Sequence, residues 1–434
     1  MYLLTRGRGE KKSNICKMEV RAPKRLKDWN VSPVLSLNPD HLRAAWRTSH
    51  PKSKRVGWPV AMGKKGILER LAEGPVIGDG SYVITLEKRG YVKAGPFTPE
   101  AAIEYPDAVR QLHRDFLRAG ADVLQAFTFY STDGKLSTSE GGKVFTSADL
   151  NQSACDIVWE VAKTKPDTLV CGGVSPTPCY TQGKGKAAVQ KQFQNQCEIF
   201  VKNKVDFLLG EFFGHVEEAE WAIEAMKTCG MPVACTLRIG PRGDLDGVSA
   251  GECAVRMARA GCDIVGLNCS FDFHTELKTI KIMKDALAAE GLTPYLMTQP
   301  VGYHLPEVEN SIVGYYDLPE YPLALEPRLL VRFDCREYAR KAYELGVHYI
   351  GGCCGFEPYH MREVAEELAP ERGGIRPPGA DKNSNWGDAL AESTITPHVA
   401  IRHTKEYWET VIPASGRPGG RLTNELVAYE GQLK

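Results

Sequence analysis

The segment "VDFLLGEFFGHVEEAEWAIEAMKTCG", residues 205–230, joins a short apolar run to a longer amphipathic one. The run at 205–213 is rich in Leu and Phe and contains one carboxylate near its end, a pattern typical of a buried strand. The stretch at 215–230 repeats apolar residues three and four apart and ends in Gly230, a pattern typical of a helix. The segment therefore predicts one strand followed by one helix.

Seven further strand-like runs flank this unit, and helical patterns separate nearly all of them. Eight strand and helix units over about 300 residues predict a (β/α)₈ TIM barrel. An open, doubly wound sheet is the alternative, but its phosphate-binding turn G-x-G-x-x-G does not follow the first run. The other seven runs lie at 75–82, 123–130, 168–176, 232–240, 262–270, 294–302 and 347–354.

Composition restricts the class of protein further. The chain has 434 residues, of which 43% are hydrophobic, and it contains no apolar run of about 18 residues that would predict a membrane span. It also has no apolar signal-peptide core near its start. Thirteen cysteines without regular spacing favour a reducing, cytoplasmic setting over a disulfide framework.

The formal net charge is zero, but the charge is unevenly distributed. Residues 1–61 carry 14 Lys and Arg against 4 Asp and Glu, which leaves 40 against 50 in the acidic remainder. An acidic body argues against nucleic acid as a partner. The basic segment lacks an apolar period, so we expect a disordered extension at 1–62, with a targeting segment as the alternative. The barrel is expected at 63–373 and a C-terminal arm at 374–434.

Polar and reactive residues follow the predicted strands. In barrels of this type the active site lies at the carboxyl ends of the strands, so these residues are candidates for one site. They are Asp79, Gln125, Phe129, Tyr130, Ser175, Glu211, Thr236, Asn268, Cys269, Gln299, Cys353 and Cys354.

Cys353 and Cys354 are adjacent and flanked by glycines. Together with Cys269 they could bind Zn²⁺ through three thiolates and leave one coordination position open. The flanking glycines would permit the sharp bend that turns both sulfurs inward. The spacing alone leaves other interpretations open: two packed thiols, a strained vicinal disulfide, or a thiol redox pair.

The motifs around these cysteines resemble the homocysteine S-methyltransferase family, and among its members those that use betaine. The resemblance extends from about Gly63 to Pro418. It implies Zn²⁺ bound by Cys269, Cys353 and Cys354, with methyl transfer from a methylated cationic donor to homocysteine. The motifs include "VIGDGSYVITLEKRGYVKAGPFTPEA", "GCDIVGLNCSFD", "YIGGCCGFEPYHMREVAEELAPERG" and "KEYWETVIPASGRP".

The resemblance also assigns roles to single residues. Glu211 would pair with the homocysteine ammonium, and Tyr130 would border the methyl donor, which makes these two the catalytic candidates. Asn268 and Gln299 would form hydrogen bonds near the zinc site. The remaining substrate-binding candidates are Asp79, Gly80, Phe97, Gln125, Thr128, Phe129 and Phe212. Each polar residue could instead be satisfied by its neighbours in the barrel.

Two positions depart from the betaine-using pattern. Phe97 stands where that pattern has tryptophan, and Phe212 stands where it has tyrosine. Both changes weaken the recognition of a quaternary ammonium, because the cation–π attraction is strongest for Trp. Betaine is still the first expectation. S-Methylmethionine or another sulfonium is the alternative, and a non-catalytic relative is disfavoured because all three cysteines are kept.

The predicted arm contains Trp386, Tyr407 and Trp408 in an otherwise polar segment. Such aromatic side chains are expected to pack on another surface. In the resembled family the arm embraces a second subunit, which implies a homo-oligomer, either a dimer or a tetramer. The alternative is an arm that folds onto its own barrel.

Overall fold

The computed structural model describes residues 64–95, 97–136, 145–380, 382, 385–392, 397–400 and 402–411. The predicted extension at 1–62 lies outside the described residues. The predicted arm at 374–434 is described only in part.

Eight parallel strands form one sheet in the order β1-β8-β7-β6-β5-β4-β3-β2, so the first strand lies beside the last. This order confirms the predicted (β/α)₈ barrel and contradicts the open doubly wound alternative. Neighbouring strands pair in parallel, for example Asn268 with Gln299, and the register between β4 and β5 shifts between Gly210 and Phe213. The strands are β1 Val76–Ile77, β2 Val123–Gln125, β3 Leu169–Val174, β4 Phe207–Phe213, β5 Val233–Leu237, β6 Ile264–Asn268, β7 Tyr295–Gln299 and β8 Tyr349–Ile350.

The barrel closes between β1 and β2 through one aspartate. The backbone N–H of Asp122 donates to the carbonyl of Ile77 at 2.8 Å, and the Asp122 carboxylate accepts from the Ile77 N–H at 3.0 Å. Arg372 donates to both oxygens of the same carboxylate, at 2.7 and 2.8 Å. A side chain and an ion pair therefore join two strands that are too short for an extended ladder.

Helices surround the sheet and begin at recognisable caps. Asp272 accepts from the N–H of Thr275 at the start of the helix that follows β6, and Ser249 accepts from the N–H of Glu252 one helix earlier. The α-helices are α1 Ile67–Glu73, α2 Val83–Lys88, α3 Ala101–Glu104, α4 Pro106–Ala119, α5 Asp133–Leu136, α6 Ser147–Ala162, α7 Pro178–Thr181, α8 Lys186–Lys202, α9 Val216–Lys227, α10 Ala250–Arg259, α11 Phe273–Ala289, α12 Arg332–Leu345, α13 Pro358–Glu367, α14 Pro397–Ala400 and α15 Lys405–Glu409.

The apolar core has layers on both sides of the sheet. The larger layer lies between strands and helices and includes the buried face of α4, at Val109, Leu112 and Phe116. A second cluster fills the barrel interior, where Phe207 and Tyr349 meet, and α1 contributes Ile67 and Leu71 to it. Because α1 immediately precedes β1, it covers the amino end of the barrel. The carboxyl end is left for the site.

The described part of the arm packs on its own chain. The ring of Phe333, in the first turn of α12, stacks with Trp386 and Trp408 at centroid distances of 5.0 and 4.9 Å. The Trp408 indole N–H donates to the Trp386 carbonyl at 3.1 Å. The prediction that these tryptophans pack on a surface is thus confirmed, while the predicted oligomer stays a prediction.

Among the helices that the structure describes, none combines the length and the apolar character that crossing a bilayer requires.

Candidate functional site

A cavity of about 240 Å³ opens at the carboxyl ends of the strands. All of the predicted metal-binding and substrate-binding residues except Asn268 line this cavity. The side chain of Asn268 instead contacts the sulfur of Cys353. The predicted residues that line the cavity are Asp79, Gly80, Phe97, Gln125, Thr128, Phe129, Tyr130, Glu211, Phe212, Cys269, Gln299, Cys353 and Cys354.

Three thiols gather on one wall of this cavity. The sulfur atoms of Cys269, Cys353 and Cys354 all lie within 4.8 Å of one another, and Cys269 and Cys354 are 3.7 Å apart. A tetrahedral Zn²⁺ with bonds of about 2.3 Å to sulfur requires about 3.8 Å between two of its thiolates. All three are free thiols, so the structure does not contain the vicinal disulfide alternative. The donor set fits zinc.

Backbone geometry turns the sulfurs toward one point. The N–H of Cys353 donates to the carbonyl of Pro300 at 2.8 Å, and the carbonyl of Cys354 accepts from Gly302 at 2.8 Å. Gly355 follows in a left-handed conformation with φ +86°, and a Cβ there would lie 2.8 Å from the ring of Tyr303. The glycine after the cysteine pair is therefore required both by the bend and by space.

The side chain of Asn268 is fixed beside the cluster. Its Oδ1 accepts from the Thr236 hydroxyl at 2.7 Å and from the Phe212 N–H at 2.8 Å. These two donors leave its amide nitrogen to donate to the sulfur of Cys353, at 3.9 Å. On the other side, the Tyr315 hydroxyl lies 3.5 Å from the sulfur of Cys269. Both contacts would stabilise negative charge on the sulfurs.

Gln299 connects the cluster to the next strand end. Its carbonyl accepts from the Cys269 N–H at 2.9 Å, and its own N–H donates to the carboxylate of Glu276 at 2.9 Å. Its side-chain Oε1 is buried and has no hydrogen-bond partner within the described residues. That oxygen is an acceptor available to a ligand in the cavity.

Two carboxyl groups, the buried Asp79 and the half-buried Glu211, are joined through Gln125. Its backbone N–H donates to Asp79 at 2.7 Å, and its side-chain amide donates to Glu211 at 2.5 Å. Burial raises the pKa of Asp79 to about 7 and the pKa of Glu211 to about 8, although these hydrogen bonds oppose the shift. A bound cation would favour the ionised form of both groups.

The residues after Asp79 and Gln125 have defined structural roles. A Cβ on Gly80 would lie 2.5 Å from the carbonyl oxygen of Phe356, so a side chain cannot be placed there. The hydroxyl of Thr128 donates to the Gly173 carbonyl at 2.8 Å, and the backbone N–H of Tyr130 donates to the Ser175 hydroxyl at 2.8 Å. Thr128 therefore uses its donor within the barrel.

Aromatic rings form the remaining wall. The ring of Phe129 lies 4.1 Å from the ring of Tyr130 and 5.4 Å from that of Phe212 between centroids. Tyr316 and Tyr321 contribute further rings, 4.4 Å apart, from the long connection after β7. Rings at these positions can surround a methylated cation through their π-faces.

Sequence reasoning did not find several residues of the site. Tyr82 donates to Asp79 at 3.0 Å and contacts the Nδ1 of His113 at 2.7 Å, which makes a buried three-residue network. Lys135 and the tyrosines from Tyr315 to Tyr321 also line the cavity. The signal for the tyrosines was the unusual length of the connection between β7 and α12, since long ordered loops commonly carry function.

The chain belongs to the homocysteine S-methyltransferase family, whose profile matches residues 76–368. It is 56% identical over 358 residues to Betaine–homocysteine S-methyltransferase 1 of Xenopus tropicalis, across 82% of this chain and 88% of that protein. The mouse (Mus musculus) protein of the same name is 56% identical over 366 residues, across 83% and 88%. S-Methylmethionine–homocysteine S-methyltransferase BHMT2 of Pongo abelii is 54% identical over 364 residues, across 84% and 96%.

A solved structure agrees with the fold. The oxidised form of the Escherichia coli homocysteine methyltransferase MmuM superposes with a TM-score of 0.53 at 17% identity, over 69% of this chain and 97% of that one. At this identity the likeness supports the barrel alone.

Proposed function

We propose that this chain transfers a methyl group from betaine to the sulfur of homocysteine, which yields methionine and dimethylglycine. Family membership and the relatives that carry this activity in their names support the proposal. The observation that carries it is the composition of one cavity. Three thiols, two carboxyl groups and an aromatic wall offer adjoining places for a metal, an amino acid and a methylated cation.

Cys269, Cys353 and Cys354 would hold one zinc ion. When bound there, zinc would supply a deprotonated, nucleophilic homocysteine sulfur at neutral pH. The chain's own contribution is to steady its ligands. Asn268 donates to the sulfur of Cys353, and the fixed orientation of its amide keeps this donor in place.

Glu211 and Asp79 would bind the ammonium group of homocysteine in their ionised forms. Gln125 holds both carboxyl groups through its two N–H donors, so that they face one point of the cavity. The unpartnered Oε1 of Gln299 offers a further acceptor. These contacts would orient the amino acid so that its sulfur faces the donor, which supplies much of the rate in a two-substrate reaction.

The aromatic wall at Phe129, Tyr130 and Phe212 would hold the methylated cation. As the new bond between sulfur and the methyl carbon forms, the bond between that carbon and the donor nitrogen breaks, and its electron pair stays on nitrogen. A negative sulfur and a positive nitrogen thus become neutral. A cavity that excludes water favours such a loss of charge, because the reactants no longer keep their hydration.

S-Methylmethionine is the second candidate donor. Phe97 and Phe212 both line the cavity, and neither has the polar group of Trp or Tyr. A relative named for this donor is 54% identical to the chain. A sulfonium cation could occupy the same aromatic wall.

The test is a donor panel. Purified protein is incubated with homocysteine and either betaine, S-methylmethionine or choline, each with deuterated methyl groups, and labelled methionine is quantified by mass spectrometry. We expect labelled methionine from betaine, and less from the other two. If labelled methionine forms from S-methylmethionine alone, S-methylmethionine and not betaine is the methyl donor. If no donor gives labelled methionine, the proposed function is overturned.

We also propose that the arm at 374–434 links copies of the chain into a homo-oligomer. Within one chain Trp386 and Trp408 stack on Phe333, and an exchange of arms between two chains would repeat this contact.

A further inference from the structure

Arg238 lies immediately after β5, against the aromatic wall of the cavity. The carbon of its guanidinium lies 5.3 Å from the centroid of the Phe212 ring and 5.6 Å from that of Tyr316. Both rings line the cavity. The backbone N–H of Arg238 donates to the Phe213 carbonyl at 2.9 Å, which fixes where the side chain starts. The guanidinium therefore lies against two rings of the aromatic wall, while Arg238 itself is not one of the residues that line the cavity.

No carboxylate of the described residues pairs with this guanidinium, and its side chain is only half-buried. Most other buried or half-buried arginines of the barrel are paired; Arg372, for example, is bonded to Asp122, and Arg328 to Glu307 and Glu320. A guanidinium has five donors in a planar fork that matches a carboxylate. Arg238 thus has an unused capacity for such a group.

A second cation borders the same wall. The ammonium of Lys135 lies 4.3 Å from the centroid of the Tyr130 ring, and Lys135 lines the cavity. The field of Arg238 also reaches this ring. Burial raises the pKa of Tyr130 above its usual range, and the positive charge of Arg238 opposes that shift. Positive groups therefore border the aromatic wall, in contrast to the two carboxyl groups bonded to Gln125.

A methylated cation alone would be repelled by the guanidinium of Arg238. Repulsion is offset when the donor carries a carboxylate close to its cationic centre, since the rings then hold the cation while the guanidinium holds the carboxylate. S-Methylmethionine has its carboxylate three carbons from sulfur and a second positive group beside it. A compact molecule with opposite charges one methylene apart matches the wall better.

We propose that Arg238 binds the carboxylate of the methyl donor and so selects a nitrogen or sulfur cation that lies one methylene from a carboxylate. This inference rests on the proposed function, because it assigns the donor end of the same cavity. Arg238 then determines donor specificity and takes no part in bond breaking.

The experiment compares Arg238→Gln and Arg238→Lys with the wild type. Arg242→Gln is the matched control, because it removes the same charge four residues away, where the guanidinium donates to the Asn310 carbonyl instead. Betaine is tested through its KM and kcat. Betaine methyl ester keeps the cation and loses the carboxylate. It is tested as an inhibitor of methyl transfer from betaine, and its inhibition constant is measured.

We expect Arg238→Gln to raise the KM for betaine about 10- to 100-fold, as for the loss of a charge-assisted hydrogen bond, with a smaller change in kcat. The inhibition constant of the ester should stay the same or fall. Arg238→Lys should be intermediate, and Arg242→Gln should match the wild type. Equal weakening of betaine and ester would instead make Arg238 a support for the rings, and an unchanged betaine KM would remove it from the site.

Wild-type turnover separates the two proposals. If the wild type uses betaine while Arg238→Gln changes nothing, the proposed function stands and the inference is overturned. If the wild type uses S-methylmethionine only, betaine and its ester are compared as inhibitors of that reaction. Preference for betaine that disappears in Arg238→Gln would then support the carboxylate site, and equal inhibition would overturn it.

Discussion

Tyr130, Phe212 and Cys269 have left-handed backbones, with φ of 57°, 69° and 65°. This conformation costs a bulky residue about 1–3 kcal/mol, and it persists only where the surroundings impose it. Each N–H here has one short acceptor: the Ser175 hydroxyl, the Asn268 side chain and the Gln299 carbonyl, respectively. The cavity wall is thus held in a strained arrangement before any substrate enters.

Substitution of Cys353 tests the metal cluster at this scale. Cys353→Ala should lose one zinc ion per chain and the methyl transfer activity, because two thiolates bind zinc far more weakly than three. The barrel should stay folded, since the side chain is only half-buried. Metal content by mass spectrometry and circular dichroism check both points. Cys229→Ser, another half-buried cysteine outside the cluster, is the control, and full metal in Cys353→Ala would exclude the cluster.

A second prediction concerns Phe97 and Phe212, which both line the cavity. Phe97→Trp with Phe212→Tyr should lower the KM for betaine about 10- to 100-fold, because a better π-face adds about 0.5–2 kcal/mol and a hydroxyl contact about 1 kcal/mol. The KM for homocysteine serves as the internal control and should change little. Steady-state kinetics that show no effect on either substrate would mean that the donor avoids these rings.

At the scale of elements, one side chain joins a helix to a loop of the site. The carboxylate of Asp272 accepts from the Thr275 N–H at 3.0 Å and from the Leu305 N–H at 2.9 Å. It therefore caps α11 and fixes the start of the connection that carries Tyr315, Tyr316 and Tyr321.

Asp272→Ala should lower the free energy of unfolding by about 2–4 kcal/mol, since a helix cap and a buried acceptor are both lost. Asp272→Asn should cost less, because its single amide oxygen keeps one of the two contacts. Ser249→Ala, which removes a cap that touches no loop, gives the comparison at about 1 kcal/mol. Urea unfolding measures all three, and equal losses in the two alanine variants would contradict the joining role.

A buried histidine at α13 predicts a pH dependence. The Nδ1 of His360 accepts from the Glu357 N–H at 3.0 Å, and its Nε2 lies 2.8 Å from the Leu330 carbonyl, to which it donates. Burial lowers its pKa to about 4 from 6.5. Between these values the unfolded chain binds a proton that the folded chain does not, so stability falls with decreasing pH by up to about 1.4 kcal/mol per unit.

His360→Asn should be less stable than the wild type near pH 7 but should lose less stability between pH 6.5 and pH 4. Urea unfolding at several pH values gives the slope. The exposed His274 provides the control as His274→Asn, which should keep the wild-type slope. Parallel curves for wild type and His360→Asn would show that this imidazole is not the titrating group.

The strand and helix order was predictable because the apolar periods are strong, but the ends of strands were not. The run at 75–82 shortens to two residues, since Asp79 and Gly80 leave the sheet to shape the cavity. Cysteines and carboxylates at strand ends were found because a barrel collects those ends. Tyr82 and Tyr315 were missed because their contacts depend on side-chain direction and on a loop path that periodicity does not specify.

At the scale of the whole molecule, the arm is the element whose position the barrel does not dictate. Deletion of everything after Gly374 should yield monomers or aggregates, because it uncovers the ring of Phe333. Size-exclusion chromatography with light scattering measures this. Deletion of 412–434 alone, which keeps Trp386 and Trp408, is the control, and an unchanged mass in the longer deletion would contradict an arm that links subunits.

The closure of the barrel at Asp122 has a consequence for synthesis on the ribosome. Arg372 lies 250 positions after the aspartate that it pairs with, and β8 lies still farther along the chain from β1. A nascent chain therefore carries β1 and β2 with open edges until nearly the last residue of the barrel has left the exit tunnel. Open edges pair with other chains, so the emerging polypeptide should depend on chaperones for most of its translation.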